Sequence, residues 1–256
     1  MGPETAIGVE NVSKTFLIPH DLQNTFRERF IHFKRKRKYE LFEALKDVSF
    51  EIRKGQFFGI IGRNGSGKST LLKILAGIYT PDKGTVIING EVSPFLELGV
   101  GFNSELSGRD NIYLNATILG LSRKEIRSRF DSIVDFSGLE RFIDQKLKNY
   151  SSGMNVRLAF SVAIHANKDI LLMDEILAVG DANFQSKCIK EFNKYRAEGK
   201  TILFVTHDLT TVQKYCDMTM LMRNGKPCNI GNPAEVCNDY INQNTFDQAK
   251  ISSGIV

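Results

Sequence analysis

The chain has 256 residues, 42% hydrophobic and 25% charged, with a formal net charge of +5. This is enough for one large α/β domain, or one domain plus a small lobe, and the absence of any apolar run of 18 or more residues excludes a helix that spans a bilayer unaided. The charge is local: residues 26–38 (FRERFIHFKRKRK) hold seven Lys/Arg and one Glu, so +6, which leaves about −1 for the rest and argues against nucleic-acid binding, where a whole face is basic.

In chain order, residues 1–11 lack the basic start, apolar core and small-residue cleavage site of a signal peptide, so a cytosolic location is expected. Residues 6–16 alternate loosely and predict a first strand; residues 17–41, rich in Phe, Arg and Lys, interrupt it, and residues 42–50 resume the same sheet. Within the interruption Phe26, Phe30 and Phe33 recur at helical spacing, with Arg27, Arg29 and the basic run on the other face and at the C-terminal end. Such a stretch is either a solvated surface helix or one that meets anionic lipid at a membrane boundary. The apolar run 56–61 fits a strand buried on both faces, and a helix over 69–77 follows, stopped at Gly77. Residues 81–84 make a turn before a strand over 85–88. From Leu106 to Leu147 the pattern is helical, with Ile112, Ala116 and Leu119 on one stripe and Ile126, Phe130, Ile133 and Val134 on another, which predicts an inserted helical subdomain over about 95–150. Then come a helix over 155–165, a buried strand over 170–173, a helix over 185–198, a strand over 201–206 and a helix over 209–216. This strand–helix alternation implies a mainly parallel, doubly wound sheet. The expectation is one domain over 1–244 with a tail over 245–256. Four cysteines, Cys188, Cys216, Cys228 and Cys237, show neither C-x-x-C spacing nor a His partner pattern, and are expected to be free, buried thiols.

Two motifs carry chemistry. Residues 62–69 (GRNGSGKS) match G-x-x-x-x-G-K-[ST] between a predicted strand and a predicted helix. Gly62, Gly65 and Gly67 let the backbone wrap so that N–H groups of Asn64, Ser66 and their neighbours face phosphate oxygens. The helix N-terminus, with Thr70 in its first turn, adds positive charge. Lys68 is placed for the β- and γ-phosphates of ATP and the Ser69 hydroxyl for Mg²⁺. Residues 170–175 (ILLMDE) are an apolar strand ending in two acids. Asp174 lies at the strand's C-terminal end, where α/β sheets bind ligands, and is the second candidate for Mg²⁺. Glu175 is the candidate for polarising the attacking water. Adjacent acids also cap helices; the phosphate-binding motif 105 residues earlier favours catalysis.

Those two motifs describe any P-loop NTPase. Tyr150-Ser151-Ser152-Gly153-Met154, ahead of a helix that runs into ILLMDE, resembles the signature motif of ABC ATPases. The resemblance implies an α/β P-loop NTPase core with a mainly parallel sheet, an antiparallel β-subdomain and an inserted α-helical subdomain. It also implies a head-to-tail dimer in which ATP and Mg²⁺ on one copy are capped by Ser151, Ser152 and Gly153 of the other. Val179-Gly180-Asp181 matches the family's dimer-facing loop, His207 in FVTHD its γ-phosphate-sensing histidine, and Phe16 in VSKTF its adenine-stacking aromatic. The family's metal-sensing glutamine is absent; the position falls near Glu97, which can offer an oxygen to Mg²⁺ but, ionised, cannot donate a hydrogen bond.

The segments VSPFLELGVGFNSELSGRDNIYL, NYSSGM and LLMDEILAVGDANFQSKC, and the interruption over 17–41, are similar to the polysaccharide exporters of the O-antigen and teichoic acid type. Membership of that group implies a peripheral subunit on the cytoplasmic face of the plasma membrane, an integral membrane channel as partner, and a lipid-linked polysaccharide as cargo. An importer or capsule-exporter subunit, and a soluble ABC ATPase, remain the alternatives. An importer subunit lacks the interruption; soluble ABC ATPases usually carry two cassettes or a long coiled-coil arm.

Overall fold

A computed structural model describes residues 4–19, 39–95, 99, 101–174 and 181–252. The first two strands, β1 (Thr5–Pro19) and β2 (Tyr39–Arg53), form an antiparallel pair that takes β4 (Lys83–Ile88) on its other edge, giving the order β2-β1-β4. The second sheet holds β3 (Phe57–Ile61), β5 (Val92–Phe95), β6 (Ile170–Asp174), β7 (Thr201–Val205), β8 (Met218–Arg223) and β9 (Lys226–Gly231). Its order is β5-β6-β7-β3-β8-β9, parallel except for β9. The helices are α1 (Lys68–Leu75), α2 (Gly108–Ile118), α3 (Arg123–Ser137), α4 (Ser152–His165), α5 (Ala182–Ala197), α6 (Leu209–Tyr215) and α7 (Pro233–Ser252). The expected α/β class, with its antiparallel and helical subdomains, is the observed one. Among the described residues no helix is long and apolar enough to cross a membrane.

The strand period explains the layering. All five residues of β3 are buried. Phe58 and Ile60 join a core that packs Val9, Leu45 and Ile52 of the antiparallel sheet with Leu71 and Leu72 of α1. Phe57 and Ile61, on the opposite face, join Phe160, Phe184, Phe192 and Met173. Alternating side chains thus feed two cores, as a central strand covered on both faces requires. A third core holds Ile112, Ala116, Ile126 and Ile133 of α2 and α3. Helix α4 belongs to two of these cores: Leu158 and Val162 face the helical subdomain, while Phe160 and Ala163 face the sheet. Phe160 lies with its ring centroid 5.6 Å from that of Phe95 and 5.7 Å from that of Phe184. One helix therefore joins the subdomain to the sheet.

Two sequence expectations need correction, and a third is not tested. The interruption over 17–41 begins later and ends earlier: Leu17 pairs with Leu41, Ile18 with Glu40 and Pro19 with Tyr39 as the two strands run outward. Leu17 and Leu41 are 65% and 68% exposed, so no core-facing alternation marks these arms. The predicted basic helix over 26–38 lies outside the described residues. The cysteines are all free, but Cys228 is exposed, because β9 is an edge strand whose residues alternate between half-buried and exposed. Burial pushes the thiols of Cys188 and Cys216 up to about 12 and raises that of Cys237. Since the thiolate is the reactive form, alkylation of the folded protein at pH 8 is expected to modify Cys228 alone, and all four thiols in denaturant. Peptide mass mapping checks this; rapid labelling of Cys188 or Cys216 in the folded chain would contradict it.

Candidate functional site

Strands β6, β7 and β3 are adjacent, and their C-terminal ends bring together residues far apart in the chain. Ile60 pairs with Val205 and Asp174 with Val205, so the phosphate loop after β3, His207 two residues past β7, and Asp174 at the end of β6 leave the sheet at one edge. This is the edge where open α/β sheets bind ligands.

The loop is shaped by close approach. Gly67, the N-cap of α1, has φ 106°, and a Cβ there would stand 2.7 Å from the Ala44 carbonyl oxygen of β2. Only glycine fits such a contact. Lys68 opens α1 and is almost fully buried; its Nζ donates to the carbonyls of Gly62, at 2.7 Å, and Arg63, at 3.0 Å. The ammonium is thus held across the loop. Beside it the Ser69 hydroxyl donates to Asp174 Oδ2 at 3.3 Å, joining the two motifs. A hydroxyl and a carboxylate so placed are hard oxygen donors that fit Mg²⁺, which takes one or two protein ligands and fills the rest with phosphate and water.

A cavity of about 500 Å³ opens here. It is lined by Asn64, Gly65, Gly67, Lys68, Ser69 and Thr70 of the loop and the start of α1, by Phe42 and Ala44 of β2, and by Asp174 of β6. The Ser66 side chain is buried and makes no hydrogen bond, while its N–H donates to the Arg63 carbonyl at 3.1 Å within the loop. Phe16 is not among the lining residues described, but it is the cross-strand partner of Phe42. Directly opposed residues share a face of the sheet, so both rings point the same way. Phe16 meets Tyr79 edge-on, ring centroids 5.5 Å apart, while Phe42 is 44% exposed towards the cavity. Phe42 is the aromatic the sequence did not single out; hairpin register, its only signal, is unreadable without the pairing.

Ser151 caps α4 by accepting from the Met154 N–H at 3.2 Å, and Ser151, Ser152 and Gly153 are all exposed at the start of this 14-residue helix. None of the three lines the cavity among the described residues. Tyr150 beneath them is buried and donates to the Phe142 carbonyl at 2.7 Å, fixing the entry of the chain. Asp181 caps α5 through the Phe184 N–H at 2.9 Å and pairs with Arg157 of α4 at 3.7 Å. His207 is exposed, next to Asp208, whose carboxyl is held below the usual range first by the Thr211 hydroxyl and then by backbone N–H groups at the start of α6. Glu97, Glu175, Val179 and Gly180 lie outside the described residues.

A family model described as ABC transporter matches residues 45–178. The chain is 49% identical over 213 residues to the O-antigen export system ATP-binding protein RfbB of Myxococcus xanthus, a match that covers 83% of this chain and about half, 49%, of that one. It is 44% identical over 243 residues to the protein of the same name from Klebsiella pneumoniae, covering 93% of this chain and 98% of the relative. The fold is shared with a dimeric post-hydrolysis state of the ATP-binding cassette MJ0796 bound to ADP and Pi, at TM-score 0.69 and 23% identity, covering 89% of this chain and 98% of that one. A family match over more than half of the sequence, together with a relative matched along nearly its whole length, means that the chain belongs to the ABC transporter family, among its ATP-binding proteins.

Proposed function

We propose that this chain is the ATP-hydrolysing subunit of an exporter that carries a lipid-linked polysaccharide of the O-antigen kind across the plasma membrane. It acts as a head-to-tail dimer at the cytoplasmic face, beneath an integral membrane channel. The observation that carries the catalytic part is the Ser69–Asp174 contact beside the buried Lys68 in a cavity walled by β2; the likeness to RfbB supports the cargo.

Lys68 and the loop N–H groups bind the phosphates, with Ser69 and Asp174 holding Mg²⁺, which neutralises phosphate charge. Glu97 is a further candidate oxygen for the metal. Phe42, with Phe16 beside it, offers a π-face to the base. Glu175 orients and polarises water and His207 contacts the γ-phosphate. Ser151, Ser152 and Gly153 of a second copy cap the nucleotide with a helix N-terminus, and Asp181 faces the dimer seam. Phosphoryl transfer needs mainly positioning and electrostatics, so closing two such half-sites supplies the chemistry. Reopening after hydrolysis moves the helical subdomain, which α4 ties to the sheet. In cells, Lys68→Ala is expected to remove surface polysaccharide while lipid-linked glycan accumulates inside. Unaltered surface polysaccharide would overturn the export assignment.

The basic stretch 26–38 is assigned to anionic lipid at that membrane face. Each Lys or Arg near such a surface contributes about 1 kcal/mol. Replacing residues 34–38 with Ser and Gln is expected to weaken cosedimentation with anionic vesicles, most at low salt, because exposed charges are screened over about 10 Å at about 0.1 M. ATPase activity of the free subunit should not change. Equal vesicle binding by both proteins would return the stretch to a solvated surface.

A further inference from the structure

The phosphate loop and β2, which both line the cavity, are hydrogen-bonded to one and the same residue, Gly225. β8 and β9 connect through Asn224 and Gly225, with φ of 50° and 80°, the two left-handed residues of a type I′ hairpin turn. The Gly225 N–H donates to the Ser66 carbonyl of the phosphate loop at 3.0 Å. The Gly225 carbonyl accepts from the Lys46 N–H of β2 at 2.8 Å. A Cβ on Gly225 would stand 2.8 Å from the Ala44 carbonyl oxygen, the same atom that closes on Gly67 from the loop side. The spacing between loop and strand therefore has no slack at this point. The turn also borders a recess of about 290 Å³ that Ser66, Asn224 and Tyr240 line, so on that side the hydrogen bond from Gly225, and not side-chain packing, holds Ser66.

We infer that the Asn224–Gly225 turn is a positioning element for the nucleotide: it sets the width between the phosphate loop and the β2 wall, and so lets one molecule engage phosphates and base together. Neither residue lines the cavity among the described residues. The inference rests on reading that cavity as an ATP site. Gly225→Ala pushes β2 from the loop, and Asn224→Val, a β-branched residue forced to positive φ, distorts the turn with less steric conflict. Asn224→Gly keeps the turn.

The test is the affinity of the folded full chain for ATP and for inorganic tripolyphosphate, measured by calorimetry, with thermal melting as the control for folding. Tripolyphosphate uses the loop wall alone; ATP uses both walls. Gly225→Ala and Asn224→Val are expected to shrink the preference for ATP over tripolyphosphate by about tenfold, the scale of one lost base–aromatic contact, while Asn224→Gly keeps it. A general loss of stability lowers both affinities alike. If both fall in proportion, or if the preference is unchanged in folded variants, the positioning role is overturned. If the wild-type chain binds neither ligand, the ATP reading fails first and takes this inference with it.

Discussion

Glu175→Gln is expected to keep ATP binding and to lower turnover by about 10²-fold or more, the scale of a positioned acid–base group. β6 delivers Asp174 to the Ser69 hydroxyl, and Glu175 is the next residue of the chain. Gln preserves size and hydrogen-bonding reach but cannot draw a proton from water at neutral pH. Binding, closure and metal contacts are left in place, so the ATP-bound dimer should accumulate. Steady-state turnover and ATP affinity, measured on the same protein, separate the outcomes. Turnover near that of the wild type would remove Glu175 from the reaction.

Ser151→Arg is expected to abolish ATP-dependent dimerisation and leave ATP binding by the single chain nearly unchanged. Its backbone starts a helix whose exposed first residues are small, and Arg places bulk where a second copy's γ-phosphate docks. The substitution also removes the N-cap bond to Met154, a cost of about 0.5–2 kcal/mol. Ser151→Asp controls for that. Asp caps as well as Ser, yet its negative charge repels phosphate, so it too should block the ATP dimer while the fold stays as stable. Sedimentation velocity with and without ATP reads both variants. An ATP dimer of Ser151→Asp would argue against a capped phosphate at this helix.

The parts of the site legible in the sequence are those whose chemistry is local. Lys68, Ser69 and Asp174 stand where a buried strand meets a turn, and five-residue apolar runs such as β3 and β6 announce themselves. Ser151 and Asp181 stand where the sequence places two helix starts, and the structure shows each as an ordinary helix cap; their role towards a second copy is a proposal. What depends on register was not legible. Phe42 enters the cavity because β1 and β2 pair with Phe16 opposite it, a relation carried by backbone hydrogen bonds rather than by either side chain. Strands β8 and β9 were missed although the signal was present: an apolar run, then Asn224-Gly225, a hairpin turn by composition. The burial of the Ser66 side chain was hidden too, since a glycine-rich motif fixes the loop's backbone and not the surroundings of each side chain.

The central claim is that a complete catalytic site needs the phosphate loop of one copy and the α4 start of another. Lys68→Ala damages only the first half-site and Ser151→Arg only the second. Each protein alone should be inactive. Mixed together, they can form a pair in which the intact Lys68 of one chain faces the intact Ser151 of its partner. Recovery of ATPase activity on mixing, absent from either protein alone, is the predicted result. Activity in Ser151→Arg alone, or no recovery in a mixture shown to form mixed dimers, would contradict a site shared between two chains.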